Sequence, residues 1–268
     1  TWDIYVEDGV TQAVLYFASS GPIAYIRWGI GTALNFTGQH RSSINQYSLS
    51  QLELLNGLIV SANKNKFTRM SNGIAKGKNA ITINESLPDV SICNKDKDKS
   101  VFGVISNLED SNERKDEYGA FVTIVPKEKG DTRPYINSVG EGAIWVSDKN
   151  GNLESGDYIT SCTIPGYGMK QNDDILHNYS VAKITMDCDF NPVTQPVEEI
   201  LKDSNGENIL DTNGYLQWQN HATDTEKAYD LRYLLADGTR ITEADYTTRQ
   251  SNGESVYKAA FVGCTYHC

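Results

Sequence analysis

The sequence predicts a mainly β fold with few short helices, and its composition supports this class. The chain contains 15 tyrosines and 22 glycines, and runs of valine, isoleucine and threonine recur along it. Turn-forming residues separate these runs about every ten residues, which is typical of all-β proteins. We therefore expect an elongated β-domain built from short strands and tight turns.

Short apolar runs predict the individual strands. Two of them lie near the N-terminus, with a turn expected at Ser20–Pro22 between them. Val181–Met186 is expected to pair with Tyr257–Gly263 near the other end of the chain. The two strands near the N-terminus are Ala13–Phe17 and Ala24–Trp28. The other predicted strands are Gly57–Ser61, Val90–Cys93, Val101–Ser106, Gly119–Val125, Tyr135–Val139, Gly142–Val146 and Asp157–Thr160.

Four further segments carry signals for turns or helices. Asn-Gly within Asp148–Asn152 predicts a hairpin turn, although the segment also partly matches a calcium-binding loop. Asp237-Gly238 predicts a second hairpin. The acidic stretch Val197–Leu201 is predicted to be helical, and Thr242, with Asp245 three residues later, predicts the cap of another helix.

Charge and composition exclude several classes of function. The 268 residues carry a net charge of -11, whereas nucleic-acid binding needs clustered lysine and arginine. No run approaches the ~20 apolar residues of a membrane span. Because the chain begins with Thr1 and not with methionine, we expect it to be a piece of a longer protein.

The cysteines predict neither a disulfide scaffold nor a metal site. Five of them in a chain of this length indicate buried or free thiols. Cys264, His267 and Cys268 have the spacing of half a zinc site, but the sequence offers no second pair to complete it. No cofactor fingerprint is present either. We therefore expect no cofactor and no bound metal.

The segment Asn35–Arg41 concentrates polar chemistry in a few residues. It places a hydroxyl, an amide, an imidazole and a guanidinium around one glycine, from Thr37, Gln39, His40 and Arg41. Such density is uncommon on a plain structural strand. The segment is therefore the first candidate for a functional site.

Seven stretches of the chain form a wider constellation, which begins with this segment. They are Asn35–Arg41, Gly57–Lys66, Val101–Ser106, Asp116–Phe121, Gly140–Trp145, Gly151–Lys170 and Ala260–Cys268. Together they resemble the G2 peptidase or intramolecular-chaperone domain, the autoproteolytic C-terminal domain of viral fibre and appendage proteins. Members of this family occur in tailed-phage preneck appendages and in large algal viruses. The resemblance covers residues 35–268.

The resemblance implies a homotrimeric β-rich domain at the end of an external virion fibre, assembled in the host cell. Residues 1–34 would be the end of the fibre stalk, a β segment intertwined among three chains. Residues 35–268 would be the chaperone domain that registers those chains. The phage members then cut their own chain at the N-terminal edge of the domain, which locks the trimer kinetically. The implied partners are the other two chains and the rest of the fibre.

Self-cleavage near residues 35–37 would need a nucleophile, a base and a donor to the oxyanion. Thr37 is the candidate nucleophile, and His40, with an ordinary pKa of about 6.5, is the candidate base. Gln39 or Arg41 would hold the oxyanion. Because side chains alternate along a strand, His40 points away from Thr37, and a base would have to come from a neighbouring chain. The alternative is structural: the polar groups bond across a trimer interface, with His40 packed beneath.

The phage members carry an acidic residue just after the cut, whereas Asn35–Arg41 contains none. An acidic cluster further along the chain is predicted to be a solvated loop between two strands. It is also a candidate for a cation site or for the missing carboxylate. The acidic cluster comprises Glu109, Asp110, Glu113, Asp116 and Glu117. Elsewhere in the chain, the closeness of His177 to Asp173 predicts a surface salt bridge.

Residues 191–254 differ in character from the strands around them and are predicted to be a subdomain inserted into the main β-domain. Tyrosine and tryptophan favour interfaces, so an alternative function is a receptor-binding knob that contacts a host surface receptor or glycan. Three functions therefore stay open at this point: an assembly chaperone, a peptidase acting only on its own chain, and a receptor-binding knob.

Overall fold

The computed structural model describes residues 3–9, 12–18, 24–29, 38–44, 49–68, 87–109, 113–118, 121–126 and 132–267. Over these residues the fold is mainly β, which confirms the predicted class. The strands are β1 (Asp3–Gly9), β2 (Gln12–Ala18), β3 (Ala24–Gly29), β4 (Gln39–Arg41), β5 (Ile59–Phe67), β6 (Pro88–Ile92), β7 (Val101–Leu108), β8 (Glu113–Tyr118), β9 (Phe121–Pro126), β10 (Pro134–Asn137), β11 (Val139–Ser147), β12 (Tyr158–Ser161), β13 (Gly168–Lys170), β14 (Ser180–Ile184), β15 (Thr194–Ile200), β16 (Trp218–Lys227), β17 (Leu231–Leu235), β18 (Arg240–Ile241) and β19 (Val256–His267).

The helical elements of the described residues are short. They are α1 (Leu49–Leu52), α2 (Glu243–Ser251) and single 3-10 turns at Glu53–Leu55 and Asp148–Asn150. Helix α2 begins where the sequence predicts, because the Thr242 side chain accepts a hydrogen bond from the Asp245 backbone amide. Each of these predicted strands has a counterpart among β2 to β14 or in β19, whereas the predicted turn at Ser20–Pro22 lies outside the described residues.

The described part of the first half of the chain forms three sheets, one of which is the two-stranded β8–β9 pair. Strands β1, β2 and β3 pair in chain order as an antiparallel sheet of their own. The second sheet has the order β4-β10-β7-β5-β6. Its two edges are bridged by the residues that follow β4, because Ile44 pairs with Val90 in β6. The segment 38–44 therefore contacts both edges of the same five-stranded sheet.

The second half of the chain is organised around β19. This strand pairs along nine residues with β11, from Ala259 to His267, and β14 pairs with it at Cys264–Tyr266 on its other side. The predicted pairing of these regions is thus confirmed, with the register shifted towards the C-terminus. The seven-stranded order is β11-β13-β12-β14-β19-β17-β18, and it closes on itself through the β11–β19 pairing.

Two apolar clusters join the five-stranded sheet to the seven-stranded sheet. Ile59, Cys93 and Val104 from the five-stranded sheet pack with Ile144 and Val262 of the seven-stranded sheet. The second cluster contains Trp145 together with residues of β5, β7 and β10. Backbone hydrogen bonds also cross between the sheets, as from the Trp145 amide to the Gly57 carbonyl. Apolar packing and backbone hydrogen bonds therefore both connect the five-stranded sheet, which includes β4, to the seven-stranded sheet.

Three sequence predictions are wrong in this structure. Val197–Leu201 is not helical: Thr194–Ile200 is a strand, since its backbone pairs with β16. Asp148–Asn152 is a 3-10 turn and not a hairpin, because β11 lies next to β13 and β19 and not next to β12. The acidic cluster is not a plain loop, since Glu113–Tyr118 is a strand paired with β9. The hairpin at Asp237-Gly238 is confirmed between β17 and β18.

The region 191–254 contains two different kinds of structure. Strands β15 and β16 form a two-stranded sheet of their own. Leu231–Leu235, in contrast, pairs with β19 inside the seven-stranded sheet. The division of the chain into a stalk, a main domain and an insertion stays a prediction.

Candidate functional site

The candidate segment forms an edge strand of the five-stranded sheet. Gln39, His40 and Arg41 pair antiparallel with Asn137, Ile136 and Tyr135 of β10. The strand is preceded by Gly38, whose φ of +55° lies in the left-handed region that favours glycine. The Ser138 hydroxyl donates a hydrogen bond of 3.1 Å to the Gly38 carbonyl. Thr37, the candidate nucleophile, lies outside the described residues.

Gln39 and Arg41 both reach side chains at the end of β7. The Gln39 amide donates to the Ser106 hydroxyl over 3.2 Å, and this hydroxyl donates in turn to the Tyr135 carbonyl. The Arg41 guanidinium lies 3.4 Å from the Glu109 carboxylate. The polar residues of β4 are therefore held by a network that spans three strands.

The fold brings one carboxylate, that of Glu109, into contact with the segment, whose own sequence contains none. Its side chain is only 2% exposed, whereas that of Arg41 is 31% exposed. The second carboxylate oxygen accepts a hydrogen bond from the Arg133 backbone amide, and the Glu109 amide donates to the Arg133 carbonyl. A carboxylate this deeply buried needs charged and hydrogen-bonding partners to remain ionised. Of the acidic cluster, Glu109 is thus the member that the fold brings to the candidate segment.

His40 contacts a different part of the sheet. It lies opposite the fully buried Ile136 in the β4–β10 register, and its ring centre is 5.5 Å from that of Phe102. Phe102 packs against the second apolar cluster. The half-buried imidazole of His40 therefore lies on the side of β4 that faces Phe102.

Ser42 is a feature that the sequence analysis missed. Its side chain is completely buried, and its hydroxyl has no hydrogen-bond partner within the part of the chain that the structure describes. The residues on either side of it are held firmly: Ser43 donates its amide to Thr68 Oγ1 over 2.7 Å and accepts from the Val90 amide. A lone serine carries no sequence signal that would have revealed this environment.

The remaining candidate residues do not assemble a second polar site. His177 forms the predicted ion pair with Asp173, at 3.0 Å, and stacks on Tyr179. Cys162 is buried, and burial raises the pKa of its thiol to about 11, so it is protonated at neutral pH. Among the described residues there is no group of three or more side chains able to hold a metal ion. Nor does any described helix have the length and apolar character needed to cross a membrane.

The contacts of the segment are those of a strand whose position is specified by its side chains. The Gln39–Ser106 and Ser138–Gly38 hydrogen bonds and the partly buried Arg41–Glu109 ion pair fix its position. The half-buried imidazole of His40 lies near Phe102. The chain matches no protein-family model, no curated protein and no solved structure. The sequence resemblance to the viral intramolecular-chaperone domain therefore stays a prediction.

Proposed function

We propose that the chain is the C-terminal head of a homotrimeric viral fibre and that residues 35–268 template the alignment of its three chains. The best support is the way in which the segment 38–44 is held just downstream of β1, β2 and β3. Ser138 bonds to Gly38, Glu109 pairs with Arg41, and Thr68 bonds to Ser43. A short strand is thereby fixed at both ends and in its middle.

A template must accept the entering strand in one register only. A strand with three paired residues has few backbone hydrogen bonds to prevent slippage, so side chains must specify the register. A slip of two residues would place Gln39 or Ser43 where Arg41 now faces Glu109. The buried carboxylate would then lose its ion pair with Arg41, at a cost of about 1–3 kcal/mol. The ion pair therefore favours the observed register of β4 over a register shifted by two residues.

The segment ahead of β4 fits the same role. Strands β1, β2 and β3 make a three-stranded sheet, and three strands are near the lower limit for independent stability. Association of three copies would cover one face of each such sheet. A head that fixes the start of β4 in three chains would also align the sheets that precede it.

Refolding of the complete chain tests the templating role. The chain is unfolded in urea and diluted, and the fraction recovered as a trimer is measured by size exclusion with light scattering. We expect Arg41→Ala to lower this fraction at least threefold, and Arg41→Lys to give an intermediate value. Arg249→Ala is the matched control, because Arg249 pairs with Glu254 at 2.6 Å but both side chains are more than 40% exposed. Equal trimer yields for Arg41→Ala and Arg249→Ala would contradict the proposal.

A second proposed function is self-cleavage near residues 35–37, and the position of Glu109 favours it. The fold brings a buried carboxylate to a segment whose own sequence has none, close enough to contact Arg41. The Thr37 hydroxyl would attack the carbonyl of the peptide bond to be cut, with Glu109 or the His40 of a neighbouring chain taking its proton and passing it to the leaving amine. Water would then hydrolyse the ester that forms on Thr37. Intact-mass measurement after expression of the complete chain tests this. Two fragments are expected from the wild type and one intact chain from Glu109→Gln; a single intact mass for the wild type would exclude self-cleavage.

A further inference from the structure

Residues 191–230 form an arm in which no residue is buried. The arm leaves the core after Phe190, which is 2% exposed, and returns to the seven-stranded sheet at Leu231. Its base is held by polar contacts: the Tyr229 hydroxyl donates to Asp189 and accepts from the Asn191 amide. A two-stranded hairpin without a core is at best marginally stable in water. Something other than apolar burial must therefore shape the arm.

Local hydrogen bonds shape the tip of the arm. Two Asp-x-Asn-Gly turns follow each other at a spacing of eight residues, beginning at Asp203 and Asp211. In the first turn the Asp203 carboxylate accepts from the amides of Asn205 and Glu207. The Asp211 carboxylate accepts from the matching amides in the second turn. The tip is thus ordered by hydrogen bonds between backbone amides and two aspartate carboxylates, and its apolar side chains do not form a core.

Those apolar side chains lie in water. Val193, Leu210, Tyr215, Leu216 and Trp218 are all among the exposed large hydrophobic residues of the described structure. Trp218, which is 57% exposed, lies opposite Ile200 in the β15–β16 register. A groove of about 540 Å³ runs beside it and is lined by Glu198, Glu199, Ile200, Lys202, Trp218 and Gln219. An apolar surface concentrated on one projecting element indicates an interaction site.

The charge of the arm indicates the chemistry of the partner. The arm carries eight acidic residues and two basic ones within a chain whose net charge is -11. A second copy of so acidic an arm would be repelled at this surface, whereas a basic surface would be attracted. The acidic residues are Glu198, Glu199, Asp203, Glu207, Asp211, Asp224, Glu226 and Asp230, and the basic ones are Lys202 and Lys227.

We propose that the arm is a docking surface for a basic protein segment on another molecule. A lysine or arginine of the partner stacks on the exposed Trp218 ring, since tryptophan is the strongest aromatic acceptor for a cation. Glu198 and Glu199 line the same groove, and the Glu199 carboxylate is oriented by a 3.0 Å hydrogen bond from Gln219. Apolar residues of the partner cover Leu210 and Tyr215. This docking does not depend on the trimer or on self-cleavage.

Fluorescence anisotropy with defined peptides tests the proposal on the complete chain. The probe is a labelled peptide of alternating arginine and leucine, and its comparison is the matching peptide of glutamate and leucine. We expect the basic peptide alone to bind, and to bind more weakly as salt concentration rises. Trp218→Ala should weaken binding about tenfold, the loss that corresponds to about 1.4 kcal/mol. Ile175→Ala, which removes an equally exposed apolar side chain outside the arm, should have no effect.

Charge variants in the groove separate this docking from other occupants. Glu198→Gln should weaken binding of the basic peptide, and Lys202→Glu should strengthen it, each about threefold. A binding constant that is unchanged in both variants would overturn the proposal. So would equal binding of the two peptides, or displacement of the basic peptide by neutral oligosaccharides, which would assign the groove to a glycan. Self-association that Trp218→Ala abolishes, with no binding of the basic peptide, would assign the arm to a second copy of the chain.

Discussion

The Arg41 guanidinium lies 3.4 Å from the Glu109 carboxylate, although 68 positions separate the two residues in the sequence. Arg41 belongs to the edge strand β4, while Glu109 immediately follows β7 two strands away. The carboxylate is almost wholly buried. The position of β4 in the sheet therefore depends in part on its ion pair with a buried carboxylate.

Loss of Arg41 should destabilise the protein more than loss of both charges. We expect Arg41→Ala to lower the free energy of unfolding by about 1–3 kcal/mol, because it removes an ion-pair partner of a buried carboxylate. Adding Glu109→Gln should recover part of that loss. Urea denaturation at one fixed protein concentration gives the four free energies of the double-mutant cycle. Additive losses in the double variant would show that the two side chains do not interact.

Local signals predicted the parts of this site that depend on neighbouring residues. Strand alternation predicts that His40 lies on a different face of β4 from Gln39 and Arg41, and in the structure His40 contacts Phe102 whereas Gln39 contacts Ser106. The cap at Thr242 was equally local, since the whole signal lies within four residues. Such features depend on backbone geometry over one turn or one strand.

The long-range contact between Arg41 and Glu109 at this site was beyond the sequence signals. The sequence offered five acidic residues as the source of a carboxylate, and only the fold selects Glu109 among them. Val197–Leu201 was predicted wrongly because two consecutive glutamates favour a helix, whereas pairing with β16 overrides that weak preference. The buried environment of Ser42 likewise arises from a segment that contacts both edges of one sheet.

Gly57 should tolerate substitution poorly. Its φ is +83°, and a Cβ there would lie 2.6 Å from both Trp145 and Phe261. Gly57→Ala should therefore lower the free energy of unfolding by about 3 kcal/mol or more, from strain and overpacking together. Gly151→Ala is the matched control: its φ is +87°, and its Cβ would meet nothing within 4 Å. We expect a loss of only about 1 kcal/mol there. Thermal unfolding of the two variants provides the comparison, and equal losses would contradict the packing explanation.

The two turns at the tip of the arm should open in acid. Hydrogen bonds from the amides of Glu207 and then Asn205 lower the pKa of the Asp203 carboxyl, and those from Tyr215 and Asn213 lower the pKa of Asp211. Because each pKa is lowered on folding, the stabilisation is present above the unfolded value of about 3.9 and is lost as the pH falls through the folded value. NMR titration of the Glu207 and Tyr215 amides should report this.

A variant separates the two turns in that titration. Asp203→Asn should abolish the acid-dependent shift at Glu207 and leave the one at Tyr215 intact, since each carboxylate serves its own turn. Titration of either wild-type carboxyl at or above its ordinary pKa would show that these hydrogen bonds do not favour the ionised form.

The buried thiols should be chemically silent in the native protein. Cys93, Cys162, Cys188 and Cys264 are all buried, and burial also raises the pKa of the Cys188 thiol. In a Cys268→Ser variant we expect no fast reaction with a disulfide reagent at pH 8 until urea unfolds the chain, after which four thiols react. Mass spectrometry identifies the modified residue, and rapid native labelling of Cys162 would contradict its placement.

The mass of the native particle tests the proposed fibre head most directly. Sedimentation equilibrium of the complete chain, at micromolar concentration and physiological salt, measures that mass without reference to shape. We predict a particle of three chains, with Arg41→Ala shifted towards monomers. A wild-type chain that remains monomeric across the whole concentration range would contradict the proposal that residues 35–268 align three chains.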